Sequence, residues 1–229
     1  EDGRGAVGTA DHADGGGHVA AEAQHDGQVK RQEYAELENP CKAMGGDFWD
    51  FSRNSVRWKL FRFSNFRHNT LTVNGMLHDV DAQVPMTARF EEPSRLGAAF
   101  DLTPLFSGNL SSAKREVSIR DREYLEVIDS LCGGAAIANV RWTLVGEGEP
   151  EITPEGIILR AKGRTMIFSV EGAPVEYCVW PSDPAACNHE TASFEAPVPE
   201  YICGFTLDVP AGEKLTLKTT IKKKYKIKD

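Results

Sequence analysis

The chain has 229 residues, of which 41% are hydrophobic and 26% are charged, and its formal net charge is -8. That charge argues against general nucleic-acid binding, which is driven by the release of counterions from phosphates to a basic surface. No apolar run approaches the roughly 18 residues that a membrane helix needs, so we expect no membrane span. The chain opens without a basic and then apolar leader, and we expect a signal peptide to be removed or never to have been part of it.

The N-terminal segment differs in composition from the rest of the chain. Residues 1–31 are rich in Gly, Ala, Asp and His and contain no Leu, Ile, Phe, Tyr or Trp. Such a stretch cannot bury a core of its own. We therefore expect residues 1–33 to be an irregular or disordered segment and residues 34–229 to form one folded domain, which begins with a short helical turn or loop over residues 34–51.

Beyond Ser55 the sequence is repeatedly of strand type, with alternating or β-branched runs separated by Gly, Pro, Asn and Asp. The predicted strands are residues 56–63, 70–74, 86–90, 98–102, 115–119, 124–128, 138–144, 156–161, 164–170, 175–179, 201–207 and 214–225. This spacing favours an all-β fold, an antiparallel β-sandwich of supersandwich-like size with an irregular N-terminal segment.

Two dipeptides and one tripeptide predict turns from their residue types. Asn74-Gly75 supplies the positive φ angles of a hairpin, Lys162-Gly163 predicts a tight reversal, and residues 154–156 read Pro-Glu-Gly. Gly and Asn adopt the left-handed region at little cost, which is why they mark these positions.

The five cysteines show no CxxC spacing, which excludes the usual structural zinc motifs. An odd number leaves at least one thiol free. If the protein is exported, the sequence allows a bridge from Cys178 to either Cys187 or Cys203. Most of the cysteines are otherwise expected to be small buried residues.

Residues 57–75 read RWKLFRFSNFRHNTLTVNG. This block resembles the arginine, aromatic and His-Asn-Thr-Leu block of heparinase II/III-like polysaccharide lyases. The segments 34–38 and 47–49 look like the lead-in to that block in the family, and residues 139–144, 151–152 and 156–159 look like its later sandwich strands. The resemblance thus runs from about Tyr34 to the C-terminus.

The resemblance implies a structural divalent ion, zinc or a similar metal, in the sandwich. The histidine of the block resembles one of its ligands, so His68 is the first predicted ligand, through a neutral imidazole nitrogen. The residues alone favour a strand-end histidine that hydrogen-bonds to backbone, and it is the resemblance that favours a ligand. The family has a second ligand in a His-x-Asp element, and His12-Ala13-Asp14 has that form. His12 is therefore the second predicted metal ligand.

The upstream part departs from the family pattern. Ala10 stands where heparinase II members place an active-site histidine, and the strands expected after Asp14 are missing. Asp26 or another acid remains open as a further ligand. We hypothesise that residues 15–31 are out of frame or belong to a faulty gene model, which resequencing of the coding DNA would test.

The resemblance implies β-elimination on acidic polysaccharides that contain uronic acids, in a periplasmic or secreted enzyme. Catalysis in the family depends mainly on an α/α toroid domain, which this sequence cannot accommodate, so we assign no catalytic and no cofactor-binding residue. We expect the isolated chain to be inactive. The alternative is a non-catalytic carbohydrate-binding or cell-surface sandwich that uses exposed aromatic side chains and basic patches, one of them formed by Arg53, Arg57, Lys59, Arg62 and Arg67.

The remaining histidines and tryptophans have simpler interpretations. His78 and His189 are interpreted as solvated loop histidines. Trp58, Trp142 and Trp180 could stack on sugars, although a strand tryptophan in a sandwich is usually part of the core.

Overall fold

The computed structural model describes residue 46 and residues 49–193, 195 and 200–223. The predicted segment 1–33 and the lead-in residues 34–45 lie outside these residues. Over the described part, the strands are β1 (Leu71–Val73), β2 (Met86–Glu92), β3 (Arg95–Asp101), β4 (Leu110–Arg120), β5 (Tyr124–Gly133), β6 (Ala138–Gly146), β7 (Glu149–Thr153), β8 (Gly156–Ala161), β9 (Arg164–Glu171), β10 (Glu176–Trp180), β11 (Tyr201–Val209) and β12 (Lys214–Lys223).

These strands form two antiparallel sheets. The small sheet has the order β1-β6-β11-β10, and the large sheet has the order β2-β3-β4-β5-β12-β9-β8-β7. Each strand pair is antiparallel. The predicted all-β antiparallel sandwich is therefore confirmed.

The predicted strand over residues 56–63 is wrong. The structure instead has short 3-10 helices at Val56–Lys59, Phe61–Phe63 and Asn65–Arg67, and another at Thr103–Phe106. Alternating aromatic and basic residues read as a strand by periodicity, but the segment runs over the outside of the small sheet and has no neighbouring strand to pair with. Its amides bond locally or to side chains, for example Ser64 N to Leu60 O at 3.0 Å.

The turn predictions hold at the level of backbone conformation. Asn74 and Gly75 have φ angles of 51° and 63°, and Lys162 and Gly163 have 49° and 72°. Lys162-Gly163 joins the paired strands β8 and β9, as predicted. Asn74-Gly75 does not close a hairpin, because β1 pairs with the distant β6. Strand β7 contains residues 151–152, which the resemblance places in a sandwich strand, and it pairs with β8 through the turn at Pro154-Glu155.

The core lies between the two sheets and centres on three aromatic rings. Trp142 of β6 stacks on Phe205 of β11 with 5.7 Å between ring centroids, and Phe168 of β9 approaches Trp142 at 5.3 Å. All three side chains are buried. Trp142 is thus a core residue, as its position in a strand predicts.

A buried ion pair of the large sheet faces this core. Arg115 of β4 donates from Nε and Nη2 to the two carboxylate oxygens of Asp129 on β5, at 2.7 and 3.0 Å. Trp142 Nε1 donates to the same carboxylate at 2.9 Å, and Arg115 Nη1 reaches the carbonyl oxygen of Asn69 at 3.5 Å. The side chain of Asp129 has no exposed surface. A fully desolvated carboxylate therefore joins both sheets to the loop that contains His68.

A search of the described residues finds no helix long and apolar enough to cross a membrane.

Asp129→Ala should lower the free energy of unfolding by about 3–5 kcal/mol, because it leaves a buried guanidinium and an indole N–H without their acceptor. Urea denaturation followed by tryptophan fluorescence measures this change. Glu151→Ala removes the partner of Arg160 from an exposed ion pair on the same sheet and serves as the control, with an expected cost of about 0–1 kcal/mol. Equal losses in the two variants would contradict a special role for Asp129.

Candidate functional site

Residues 57–75, called the His68 block from here on, form most of one wall of a cavity of about 370 Å³. The lining residues are Trp58, Phe63, Ser64, Asn65, His68, Thr70, Leu77, His78, Val80 and Leu105. Two histidines and three small polar side chains thus meet several apolar ones. The 3-10 helices place His68 here, because Asn65–Arg67 ends at His68 and the chain then enters β1.

The ring of His68 has a defined tautomer. Its Nδ1 lies 2.8 Å from the carbonyl oxygen of Ser64, and since a carbonyl can only accept, Nδ1 must carry the proton. In the neutral ring the lone pair is then on Nε2. Metal-binding histidines commonly donate their other ring N–H to a backbone carbonyl in this way. His68 is also exposed to solvent, so its geometry fits the predicted role of a ligand.

Asn65 organises the floor of the cavity. Its buried amide donates from Nδ2 to Thr72 Oγ1 at 2.7 Å and to Met76 O at 3.1 Å, while its Oδ1 accepts from the amide of His78 at 3.1 Å. One side chain therefore ties together the block, strand β1 and the loop that follows β1. Sequence reasoning did not single out Asn65.

His78 is not the solvated loop histidine that the sequence suggests. Its Nε2 lies 2.7 Å from the carbonyl oxygen of Leu71, and its ring meets Phe106 edge-on at 5.5 Å. Burial is the main cause that lowers the pKa of His78, and the nearby charges of His68 and Arg115 add to it. The imidazole satisfies a carbonyl of the edge strand β1, where a neighbouring strand would otherwise bond.

The block is also held from a distant part of the chain. Glu195 is buried, and its carboxylate accepts from the amides of Phe61 at 2.7 Å and Arg62 at 3.2 Å. The hydroxyl of Thr191 donates to the same carboxylate. His189 packs against Phe61 with 5.2 Å between ring centroids, so it is structural rather than solvated. Nothing local in the sequence marks Glu195 as a partner of residues 61–62.

The predicted basic patch is largely neutralised by internal partners. Arg53 pairs with Asp81 at 2.6 Å, Arg62 with Glu195 at 3.4 Å, and Arg67 with Glu200 at 2.7 Å. The guanidinium of Arg57 lies 4.3 Å from the ring centre of Phe51 and 4.5 Å from that of Phe63.

Exposed aromatic rings lie beside this stacked guanidinium. Trp49 and Phe51 are 71% and 60% exposed. Trp58 also lines the cavity, and its Nε1 donates to the carbonyl of Ser52 at 2.8 Å. This surface combines a cation and flat rings, the two features with which proteins bind acidic sugars.

The described residues alone do not assemble a metal centre. Within them, no group of three or more His, Cys, Asp or Glu side chains is placed to hold an ion. His12 and Asp26 lie outside the described residues. The assignment of His68 and His12 as metal ligands stays a prediction, and His68 is the member whose geometry can be inspected.

A larger apolar groove of about 560 Å³ lies at the open end of the sandwich. Leu125, Leu144, Leu159, Met166 and Ile221 form much of its wall. Cys203 also lines it, and burial raises the pKa of that thiol to about 12. Among the described residues, no histidine or carboxylate lines this groove, so the cavity at His68 is the better candidate for chemistry.

Comparisons with solved structures identify the class of fold. A heparinase III structure matches with a TM-score of 0.55 and 15% identity, covering 78% of this chain and 26% of its own. Heparan sulfate lyase HepC from Pedobacter heparinus matches with a TM-score of 0.56 and 12% identity, covering 79% and 28%. A heparinase III with methylated lysines matches with a TM-score of 0.54 and 14% identity, covering 72% of this chain and 25% of its own. The chain spans about a quarter of the length of these structures.

These matches confirm, for the fold, the resemblance to heparinase II/III-like lyases that the sequence predicts. At such low identity they establish a shared fold and nothing finer. No family model and no curated protein matches the chain.

The half-buried His78 should make the free energy of unfolding depend on pH in a defined direction. Because its pKa is lowered in the folded state, the unfolded chain binds the proton first as the pH falls below about 6.5. The free energy of unfolding is thus highest above that pH. Acidification lowers it by up to about 1.4 kcal/mol for each pH unit between the pKa of His78 in the unfolded chain and its lower pKa in the folded chain. Urea denaturation at pH 7.5 and 5.5, with a chelator present, measures this loss.

His78→Gln should reduce the difference between the two pH values, since an amide does not titrate and can still donate to Leu71 O. His68→Gln serves as the control, because His68 is exposed and should leave most of the difference intact. An unchanged pH dependence in His78→Gln would contradict the assignment.

Proposed function

We propose that this chain is the β-sandwich portion of a polysaccharide lyase that acts on glycans containing uronic acids. The observation that carries the proposal is the coincidence of two independent results. The His68 block resembles the heparinase II/III-like family in sequence, and the sandwich on which it folds is shared with heparinase III and HepC structures. Part of the block lines a cavity, which suits a role at a surface where a glycan or another domain meets the sandwich.

The proposed reaction of the whole protein is β-elimination. A general base removes the proton at C5 of a uronic acid, the carboxylate of that sugar is neutralised, and the bond to the oxygen at C4 breaks. The base and the neutralising groups would come mainly from an α/α toroid domain. The sandwich would then form one side of a cleft for the acidic polysaccharide, and the protein would be periplasmic or secreted.

A structural zinc ion, or a similar divalent ion, belongs to this proposal. His68 would bind it through Nε2, since Nδ1 donates to Ser64 O, and His12 would supply a second nitrogen. Binding of an ion by these histidines would stabilise the folded chain, because ligation favours the folded state.

A second candidate function rests on the exposed aromatic surface. Phe51 lies beside the guanidinium of Arg57, and Trp49 contacts Phe51, an arrangement suited to stacking on a sugar ring while attracting a carboxylate or sulfate. This surface favours a non-catalytic carbohydrate-binding module. The module needs no metal and no second domain.

Zinc should raise the Tm of the chain by about 5 °C or more at a concentration of about 100 Kd, and the dialysed protein should retain it stoichiometrically. His68→Ala should abolish both effects, because Nε2 of His68 is the proposed ligand. Calorimetry and elemental analysis by mass spectrometry provide the two measurements.

His189→Ala is the matched control for zinc binding, since His189 contacts Phe61 outside the cavity and should still bind the ion. A chain without stoichiometric zinc, whose Tm is the same before and after His68→Ala, would favour the carbohydrate-binding module. Loss of the zinc effect in His189→Ala alone would also argue against His68 as the ligand.

The chain by itself should produce no unsaturated uronate from heparan sulfate, because the groups that remove the C5 proton are proposed to lie in the toroid. The absorbance of the unsaturated product measures this. Product formation by the isolated chain would refute the proposal that the catalytic groups lie in the toroid domain. Activity that appears only on addition of a separately purified toroid domain would support it.

A further inference from the structure

The faces of the small sheet decide between the two cysteine bridges that the sequence allows. In a strand, alternate side chains point to opposite faces. Cys203 of β11 lies on the same face as Phe205 and is buried in the core. Cys178 of β10 is opposite Gly204, one position out of phase, and therefore lies on the outer face. A bridge between Cys178 and Cys203 would have to pass through the sheet, so the structure excludes it.

The outer face around Cys178 is shaped by the absence of a side chain at Gly204. A Cβ atom there would lie 2.0 Å from the carbonyl oxygen of Trp142 and 3.3 Å from the ring of Trp180. The absence of a side chain at Gly204 leaves room for the ring of Trp180 on this face. The guanidinium of Arg141 then stacks over that ring, 3.9 Å from its centre.

Arg141 is fixed in this position by its other bonds. It donates from Nη2 to Phe66 O at 3.1 Å and from Nε to Thr143 Oγ1 at 3.2 Å. Burial lowers its pKa to about 10, while two nearby thiols, those of Cys187 and Cys178, oppose this shift.

Cys187 reaches this face from the segment that follows β10. Its thiol donates to the carbonyl of Pro181 at 3.4 Å, and its amide bonds to Asp183 O at 3.2 Å. The chain thus turns back on itself directly after Trp180, which returns Cys187 toward the end of β10. Cys187 is exposed and Cys178 is half-buried, so both thiols are accessible to a small oxidant.

We propose that Cys178 and Cys187 form a reversible disulfide that ties the segment of residues 181–195 to strand β10. The oxidant is a low-molecular-weight disulfide such as oxidised glutathione. The Cys187 thiolate attacks it and releases one glutathione thiolate, and the Cys178 thiolate then attacks the sulfur of Cys187 and releases the second. Two cysteine thiols are oxidised, one glutathione disulfide is reduced to two thiols, and the protons of the cysteines pass to the released thiolates.

This bond would act on the His68 block through established contacts. The segment of residues 181–195 includes His189, which packs on Phe61, and Glu195, which accepts from the amides of Phe61 and Arg62. Closing the disulfide removes conformational freedom from the segment in the unfolded chain and holds it against β10 in the folded one. The block is then more firmly held in the oxidised protein than in the reduced one.

The test starts from the folded, fully reduced protein, incubated with oxidised glutathione at pH 8.5. Burial raises the pKa of both thiols, and the alkaline pH supplies the reactive thiolates. We expect a loss of two titratable thiols, peptide mapping that finds Cys178 linked to Cys187, and a rise in Tm of about 5–10 °C that dithiothreitol reverses. Hydrogen exchange at the amides of Phe61 and Arg62 should slow on oxidation.

Cys178→Ser and Cys187→Ser should each abolish the loss of two thiols and the rise in Tm, whereas the control Cys132→Ser, on the large sheet, should keep both. Mapping of the unmodified chain gives the answer even if a variant folds poorly. A link that involves Cys132 or Cys203, a dimer joined through Cys187, or only a stable mixed disulfide with glutathione would each overturn the proposal.

Discussion

The buried carboxylate of Asp129 connects the two sheets to each other and, through Arg115, to the loop that contains His68. It accepts two bonds from Arg115 within the large sheet and one from Trp142 of the small sheet. Arg115 in turn reaches the carbonyl of Asn69, the residue after His68. A charge in a dry core is tolerated only when its bonds are satisfied. The arrangement therefore permits little displacement of one sheet against the other, and it holds the start of β1 in register with the core.

The outer face of the small sheet supports a second layer without regular secondary structure. The 3-10 helices around Phe61 lie there, and their amides bond within the segment or to side chains from distant parts of the chain. Glu195 satisfies two of their amides, and Arg141 binds the carbonyl of Phe66. A surface built in this way can present an exposed imidazole at His68 while its supporting groups stay buried. Its rigidity depends on the segment that carries Glu195.

Much of the sandwich could be predicted from the sequence because strand alternation is a local property. Residues 156–161 were predicted at the bounds that the structure shows, and Lys162-Gly163 adopts the positive φ angles that its residue types favour. The strand predicted at residues 56–63 failed because alternation of aromatic and basic residues does not reveal whether a pairing partner exists. Asn74-Gly75 turned as predicted, but the pairing of β1 with β6 made it a simple change of direction rather than a hairpin.

The sequence by itself determined the all-β class, most strands and the turn conformations. These follow from residue types and their spacing within a few positions. Only the tertiary structure decided that Glu195 holds Phe61, that His78 completes the edge of β1, and that Cys178 and Cys203 face opposite sides of one sheet. The physical reason is that burial, hydrogen-bond partners and the facing of a strand depend on which distant segments lie alongside, and no local pattern contains that information.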